Sequence, residues 1–566
     1  MPEYLSPGVF VEEVDRGPKP IQGVGTAMAC FIGFTEKAQM ERVINGETIV
    51  EDLLNKPQLV TNWSQYAERF GGLVQGAYLP HSVYGYFLNG GTRCYVLSVK
   101  TIPKAQASLL GSDGKPYLTI QAKQAGFDGL RLRVRVDAPE PPKSSSSSSS
   151  GAKKDADGKD AAAGGASGSG GASSTPSTPS SGGGSTPFTV TIERQGVGGS
   201  WQVSEVLSDV TLHEVSTDGE KQVAVAYKNN KTSKIIDILL PEGETAVDRI
   251  TPRSQEQSLN IQKRLISPAE YSDFQGDVMA RSGVEGLASL DDITMLVVPD
   301  LMTAMPGQTL DLEMIKAVQT MMINHCEMMG DRMAILDSPP DMNPMEIKEW
   351  RMETAAFDSS YGVLYYPWIE VMDPVTNRPM HLPPSGHMAG VWARNDNTRG
   401  VHKAPANEVV RGATDLTYTV TKGEQDTLNP IGVNCVRAFP GMGYRIWGAR
   451  TLSSDPSWRY INVRRLFNYI EKSLQLGTMW TVFEPNDQRL WNRIRRDVTN
   501  FLMGVYSQGA LFGASPSQAF YVKCDEELNP AHSRDLGQLV VEIGVAPVKP
   551  AEFVIFRVSQ WSAEAG

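Results

Sequence analysis

The sequence is poor in the residues that most enzyme and metal chemistry needs. Its 566 residues include seven histidines and five cysteines. Cys30, Cys94, Cys326, Cys435 and Cys524 are odd in number, widely spaced and free of any CxxC pair. This argues against a disulfide framework or a zinc site and for buried free thiols in a protein folded in a reducing compartment. No apolar run reaches the ~18–20 residues that a membrane-crossing helix needs, so direct membrane insertion is not expected. The opening Met1-Pro2-Glu3-Tyr4-Leu5-Ser6-Pro7-Gly8 has neither a basic stretch nor an apolar core, so no secretory signal is expected. A basic footprint is missing too. The formal net charge is −11, which argues against a nucleic-acid partner.

Catalytic signatures are equally scarce. HExxH, GxSxG, a phosphate-binding GxxxxGK[ST] and a complete GxGxxG are all absent. Gly23-Val24-Gly25 and Gly441-Met442-Gly443 lack a third glycine and read as turns. His381 and His387 lie six apart in a proline-rich segment, read as a loop, without a third ligand nearby. His325-Cys326 falls inside a helical pattern and reads as core. Asp291, Asp292 and Asp300 bracket a strand and read as solvated caps and turns. The 22 methionines read as adaptable core packing. No catalytic residue, cofactor or metal ligand is expected.

What is present is a long chain with several different textures. A single core rarely grows past ~250–300 residues, so several domains are expected. Residues 27–34 and 94–99 are apolar runs that fit buried strands, and Asn62 or Ser64 can cap a helix that Gly71-Gly72 stops. Residues 293–298, 310–329, 334–337 and 362–371 alternate strand, helix, strand and strand, the pattern of a parallel sheet covered by helices. Between these regions, Leu130-Arg131-Leu132-Arg133-Val134-Arg135-Val136 and Phe188-Thr189-Val190-Thr191-Ile192 alternate with period two, as half-exposed strands do. They flank a Ser/Gly/Ala/Pro tract at 139–187, which cannot bury enough apolar surface to order itself and reads as a solvent-exposed loop. Two amphipathic helices follow at 460–476 and 485–506, then strands at 519–523, 538–545 and 553–558. The fold class is α/β, more loosely α+β multidomain.

Several ordered segments carry a resemblance. The first is Tyr4-Leu5-Ser6-Pro7-Gly8-Val9-Phe10-Val11-Glu12-Glu13-Val14, joined by residues 27–34. Later come Tyr365-Tyr366-Pro367-Trp368, Pro383-Pro384-Ser385-Gly386 with Ala389-Gly390, and Gly400-Val401-His402-Lys403-Ala404-Pro405-Ala406-Asn407. Leu428-Asn429-Pro430, Trp447-Gly448-Ala449-Arg450-Thr451-Leu452 and Tyr460-Ile461-Asn462-Val463-Arg464-Arg465-Leu466 follow. Ala546-Pro547 and Pro550-Ala551-Glu552-Phe553-Val554 complete the set. In this order and density the chain resembles the contractile phage tail sheath proteins, over most of its length outside about 101–258. The C-terminal half resembles most the sheaths of extracellular injection systems.

The resemblance implies a structural subunit and no enzyme. Its copies would stack as hexameric rings in a helix around an inner tube, and contraction would drive the tube through a target envelope. Implied partners are further copies of itself, the inner tube protein, and baseplate and terminal cap proteins. Assembly would occur in the bacterial cytoplasm, within a phage tail or a released or cell-associated contractile particle. The implied layout is a linking arm at 1–25, the first part of the core at 26–100, an outer β-rich insertion at 101–258, a subtilisin-like α/β domain at 259–434, and an α+β domain at 435–566 with a terminal linking strand. Terminal strands are expected to be exchanged between subunits, because edge addition uses main-chain hydrogen bonds and depends little on side chains. The expected strands carry Val9, Phe10, Val11 and Val14 at one end and Phe553, Val554, Ile555 and Phe556 at the other. Arg464, Arg465, Arg489, Arg493, Arg495 and Arg496 form a local basic region and are expected contacts to the inner tube. Intramolecular pairing with Glu471, Glu484 or Asp497 is the competing reading. Two further readings, an α/β hydrolase or protease and a surface adhesin with a serine-rich stalk, lack a catalytic context and an export signal respectively.

Overall fold

A computed structural model describes residues 21–44, 47–111, 114–138, 186–196, 199–217, 220–228, 232–240, 251–261, 270–303 and 309–557. The Val9–Val14 segment and nearly all of the 139–187 tract lie outside the described residues. The chain falls into two compact units. One is Pro103–Ile266; the other joins the flanking segments Met1–Ile102 and Ser267–Gly566.

The larger unit is built on an eight-stranded sheet. Its strands are β1 (Ala29–Thr35), β2 (Gln58–Val60), β3 (Cys94–Thr101), β4 (Met295–Val297), β5 (Met333–Asp337), β6 (Gly362–Tyr366), β7 (Val433–Phe439) and β8 (Gly443–Trp447). The spatial order is β8-β7-β6-β5-β4-β1-β3-β2. The inner strands run parallel, and β2 and β8 close the two edges antiparallel. Every residue of β1, β4, β5 and β6 is buried. That is why these segments read as continuous apolar runs without alternation: a parallel sheet is covered on both faces. The expected α/β class is the observed one.

The helices follow from local signals. Helix α1 (Trp63–Phe70) starts where the Asn62 side chain accepts the Gln65 N–H at 2.9 Å, and stops at Gly71, whose φ is +86°. Helix α2 (Leu79–Asn89) carries no clear sequence signal, nor does α4 (Ser385–Arg399), whose start has the composition of a loop. Between them in the chain lies α3 (Leu312–Met329). A Cβ on Gly386 would lie 2.5 Å from Ser82 Cβ, and one on Gly390 would lie 2.6 Å from the Tyr86 carbonyl oxygen. The Ser-Gly…Ala-Gly motif is thus the close crossing of α4 over α2. His387 lies inside that crossing, fully buried within a helix, which corrects its placement in a loop.

The smaller unit is all-β. A five-stranded antiparallel sheet holds Leu132–Asp137, Phe188–Gln195 and Trp201–Thr217 among its strands, and a three-stranded sheet holds Lys104–Leu110, Pro116–Ala125 and Ile236–Leu239. Leu132, Val134, Val136, Val190 and Ile192 meet Leu118, Ile120 and Ala122 in one core. The alternation of Leu132 to Val136 thus reports one buried and one wet face.

The last part of the larger unit holds α5 (Ile461–Gly477), α6 (Gln488–Ser507) and a hairpin of β9 (Phe520–Lys523) and β10 (Glu542–Val545). Leu466 and Ile470 of α5 pack with Leu490, Trp491, Ile494, Val498 and Leu502 of α6.

Candidate assembly interface

The expected C-terminal linking strand is not a strand within this chain. Phe553, Val554, Ile555 and Phe556 pair with no ladder and are exposed by 71, 69, 79 and 85%. A strand needs a neighbour for its N–H and C=O groups, and among the described residues none lies beside this segment. The hairpin is similarly incomplete. Among the described residues, strand β9 pairs with β10 alone, so the sheet has two members there, and isolated two-stranded sheets are marginal in water.

Immediately before this segment the chain is held firmly. Phe512 N–H donates to Ala546 O at 2.8 Å and Val548 N–H to Ala510 O at 3.1 Å. Asn462 Nδ2 donates to Val548 O at 3.0 Å. The last anchor is Glu552. Arg450 grips it bidentately, Nε to Oε1 at 2.8 Å and Nη2 to Oε2 at 2.7 Å. Asn429 Nδ2 adds a bond of 2.7 Å and the Tyr460 hydroxyl one of 2.9 Å. Burial alone would raise the Glu552 carboxyl, but these donors outweigh it and leave it below the ordinary glutamate range. Asn429, Arg450 and Tyr460 come from three separate resemblance motifs and Glu552 from a fourth. Their order is legible in the sequence, but not that the first three converge on one carboxylate.

The other end is rooted on the same helix. Ile21 packs where any side chain at Gly477 of α5 would sit. Val24 N–H donates to Ser473 Oγ at 3.1 Å, and Arg465 Nη2 donates to Thr26 O at 2.9 Å. The C-terminal root meets the start of α5 at Tyr460 and Asn462. The N-terminal root runs along Arg465 to Gly477. At ~1.5 Å rise per residue, the attachments at Asn462 and Ser473 stand roughly 16 Å apart on one rigid rod.

The six arginines split into two classes, and two expectations fail. Arg464 and Arg465 are buried, with side chains exposed by 6 and 4%. Arg465 forks onto Asp396 at 2.9 and 2.5 Å and stacks over Trp392. Arg464 bonds Asn468 and Glu471 and lies over the rings of Trp458 and Tyr361. Both are internal struts and cannot reach a partner. Arg489, Arg493, Arg495 and Arg496 are exposed on α6. Arg496 pairs with the buried Asp497 at 3.3 Å, Arg495 bonds Asn492, and Arg493 stacks 3.9 Å from the Trp480 ring centre.

The buried carboxylates at the sheet's carboxyl edge hold helix ends. Asp300, expected in solvent, is buried at the carboxyl end of β4. It accepts the N–H groups of Phe34, Tyr78 and Leu79 and so caps α2. Asp337 does the same for α4, accepting Ser385 N–H at 2.8 Å and its hydroxyl at 2.5 Å. Burial pushes each carboxyl up to about 7. A cavity of 410 Å³ opens at the amino ends of β1, β3, β4 and β5, beside α5. Two of its three lining cations are paired, Lys472 with Asp291 and Asp331 and Arg465 with Asp396, and the third, Arg93, is exposed. Open α/β sheets usually bind ligands at the opposite, carboxyl edge. Among the described residues, no group of three or more His, Cys, Asp or Glu is placed to hold a metal, and no helix is long and apolar enough to cross a membrane. All five cysteines are buried and unpaired.

Comparison with known proteins now decides the family. A family model described as the phage tail sheath protein central domain matches residues 284–452, and one described as the phage tail sheath C-terminal domain matches residues 453–560. The chain belongs to the contractile phage tail sheath family. Relatives include a putative prophage major tail sheath protein of Pseudomonas aeruginosa, 29% identical over 52% of this chain and 75% of that one. The tail sheath protein of Vibrio phage KVP40 is 27% identical over 37% of this chain, an alignment that spans 30% of that relative's length. The sheath of an extracellular contractile injection system, solved as the PVC sheath complex in its contracted state, shares the fold. It aligns at a TM-score of 0.53 and 20% identity over 99% of both chains. The family consists of structural tail proteins, and the sheath chain is not an enzyme.

Proposed function

We propose that this sheath chain is the repeating subunit of a contractile sheath. Copies stack as hexameric rings around an inner tube, and contraction drives the tube through a target envelope. One observation supports this most: both chain ends are rooted on α5, while the C-terminal segment beyond Glu552 carries four exposed apolar residues and no ladder. A single chain gains nothing from that arrangement. Burying each of these side chains against a neighbour is worth about 1.5–3 kcal/mol. Phe553, Val554, Ile555 and Phe556 add as a strand to the β9–β10 sheet of another copy, and Val9, Phe10, Val11 and Val14 supply the second linking strand. Because both arms are tied to one helix, a pull on one neighbour is passed to the other while rings slide and rotate.

In this reading the α/β domain at 259–434 is a subtilisin-like scaffold without its chemistry. The segment at 26–100 completes its core, residues 101–258 form the outer insertion, and 435–566 carry the linking hairpin. The inner tube meets Arg489, Arg493, Arg495 and Arg496. Baseplate and cap proteins close the two ends, and assembly takes place in the bacterial cytoplasm before the particle acts or is released.

Negative-stain microscopy of the purified chain tests the reading. Full-length protein is expected to polymerise into hollow tubes. Removing residues 1–14, or substituting Val554→Pro to delete one main-chain donor, should leave a folded monomer that forms none. Normal sheaths from both variants would defeat the strand-exchange mechanism.

A further inference from the structure

Between α5 and α6 the chain makes a turn with an unusual surface. Leu476, Met479, Val482 and Phe483 are exposed by 46, 64, 64 and 102%, and Phe483 exceeds every other large apolar side chain among the described residues. Its backbone is left-handed, φ +69°, a conformation that bulky side chains rarely adopt. The turn is fixed. Thr481, Val482 and Glu484 donate their N–H groups to Thr478, Met479 and Thr481 carbonyls at 2.9, 3.3 and 3.2 Å. Asn486 ties it down, donating to Gln538 O at 2.9 Å and accepting the Trp491 indole N–H at 2.7 Å. Trp480 points the other way and joins the core shared by α5 and α6. The isolated chain thus holds a strained, fully wetted phenylalanine on a rigid platform, and exposure of that kind marks a contact surface.

The surroundings indicate what covers it. Arg489 and Arg493 follow on α6, one turn apart and exposed, and neither has a carboxylate partner among the described residues. Asp487 is spent capping α6, leaving Glu484 as the turn's free acid. We propose that residues 479–483 are an apolar knob that seats in a shallow apolar recess on an acidic protein surface, the outer wall of the inner tube. The inference rests on the sheath reading and adds a second component to it. The arginines attract at a distance and weaken with salt, whereas the knob sets the register and does not.

The test uses the full chain assembled on its own tube protein, with tube retention measured by co-sedimentation at low and high salt. Met479→Ser combined with Phe483→Asn, a residue at ease in left-handed backbone, should leave the thermal melt and unaided sheath polymerisation unchanged. Tube retention should fall at least tenfold at both salt levels. Arg489→Glu with Arg493→Glu should lower it mainly at low salt. Unchanged retention by the knob variant overturns the proposal. Loss of sheath polymerisation also overturns it and makes a second copy of the chain the occupant. If the wild type polymerises but retains no tube, the tube partner assigned to the knob is wrong while the sheath reading stands. If the wild type forms no sheath at all, the sheath reading itself fails.

Discussion

Helices α5 and α6 both carry clustered arginines, and the two sets do opposite work. Arg464 and Arg465 sit against carboxylates and aromatic faces inside the protein. Arg489, Arg493, Arg495 and Arg496 stand in water. The residue type is the same and the helices pack on each other, so the difference comes from what faces each turn. Helix α5 has partners on nearly all sides, with buried positions that include Asn462, Asn468 and Ser473. Helix α6 buries one apolar stripe and leaves the rest to solvent. An arginine in a sequence is therefore a strut or a contact according to which side of its helix the tertiary fold covers.

The sharpest way to break this comparison is Arg465→Ala. It strands Asp396 as an unpaired buried charge and takes one of two donors from the Thr26 carbonyl, so unfolding in urea should show a loss of about 3–5 kcal/mol. Glu552→Ala should come next. Bonds to a charged group are worth roughly 1.5–3 kcal/mol each, but they share one carboxylate and do not add. A net loss of about 2–3 kcal/mol is expected, with faster amide exchange at residues 546–557 while the sheet amides stay protected. The pH dependence follows the same bond. The folded Glu552 carboxyl lies below its ordinary value, so its contribution is complete above the unfolded pKa of about 4.5. It should fade as pH drops through the lower, folded value, and Glu552→Gln should remove that slope.

A second pH-dependent effect should come from His387. Burial lowers its imidazole to about 4 from 6.5, with His81 adding to the shift. The folded chain thus keeps it neutral, whereas the unfolded chain protonates it. Stability should fall as pH drops from 6.5 towards 4, by at most about 1.4 kcal/mol per unit. Raised carboxyls at Asp300 and Asp337 act in the opposite sense between about 4 and 7, losing stability as pH rises. Comparing thermal melts of the wild type and His387→Gln across pH 4–7 isolates the histidine slope. The smallest change should come from α6: Arg493→Glu should shift folding stability by no more than ~0.5 kcal/mol. A large loss there would mean that α6 is also structural.

Much of the scaffold was legible because burial on both faces leaves a plain signature. Residues 29–34, 295–297 and 333–336 are apolar without interruption, and each lies in an inner strand. The paired helices near the C-terminus were legible by their 3.6-residue spacing. Helix α4 was not, because its first nine residues are buried on every side and show no polar face, and its Ser385, Gly386 and Gly390 look like loop residues until α2 is laid across them. Asp300 misled in the same way. A carboxylate beside a strand end is usually wet, and only the three N–H groups converging from β1 and α2 make burial tolerable.

The site was legible as names without geometry. Asn429, Arg450, Tyr460 and Glu552 stood in motifs scattered over about 120 residues of sequence, and no local rule links residues so far apart. Phe553 to Phe556 had the composition of a strand, yet a strand exists only with a neighbour, and composition does not say whose.

By itself the sequence determined the class of the protein. Periodicity and apolar content fix which segments become strands or helices, because those signals are local and each residue pays its own cost of exposure. The order of motifs fixed the family. Only the tertiary structure decided which charges are spent internally, where both chain ends take hold, and which apolar residues are left without cover. Most of these depend on partners tens to hundreds of residues away, and a carboxylate's environment is set by the donors that reach it.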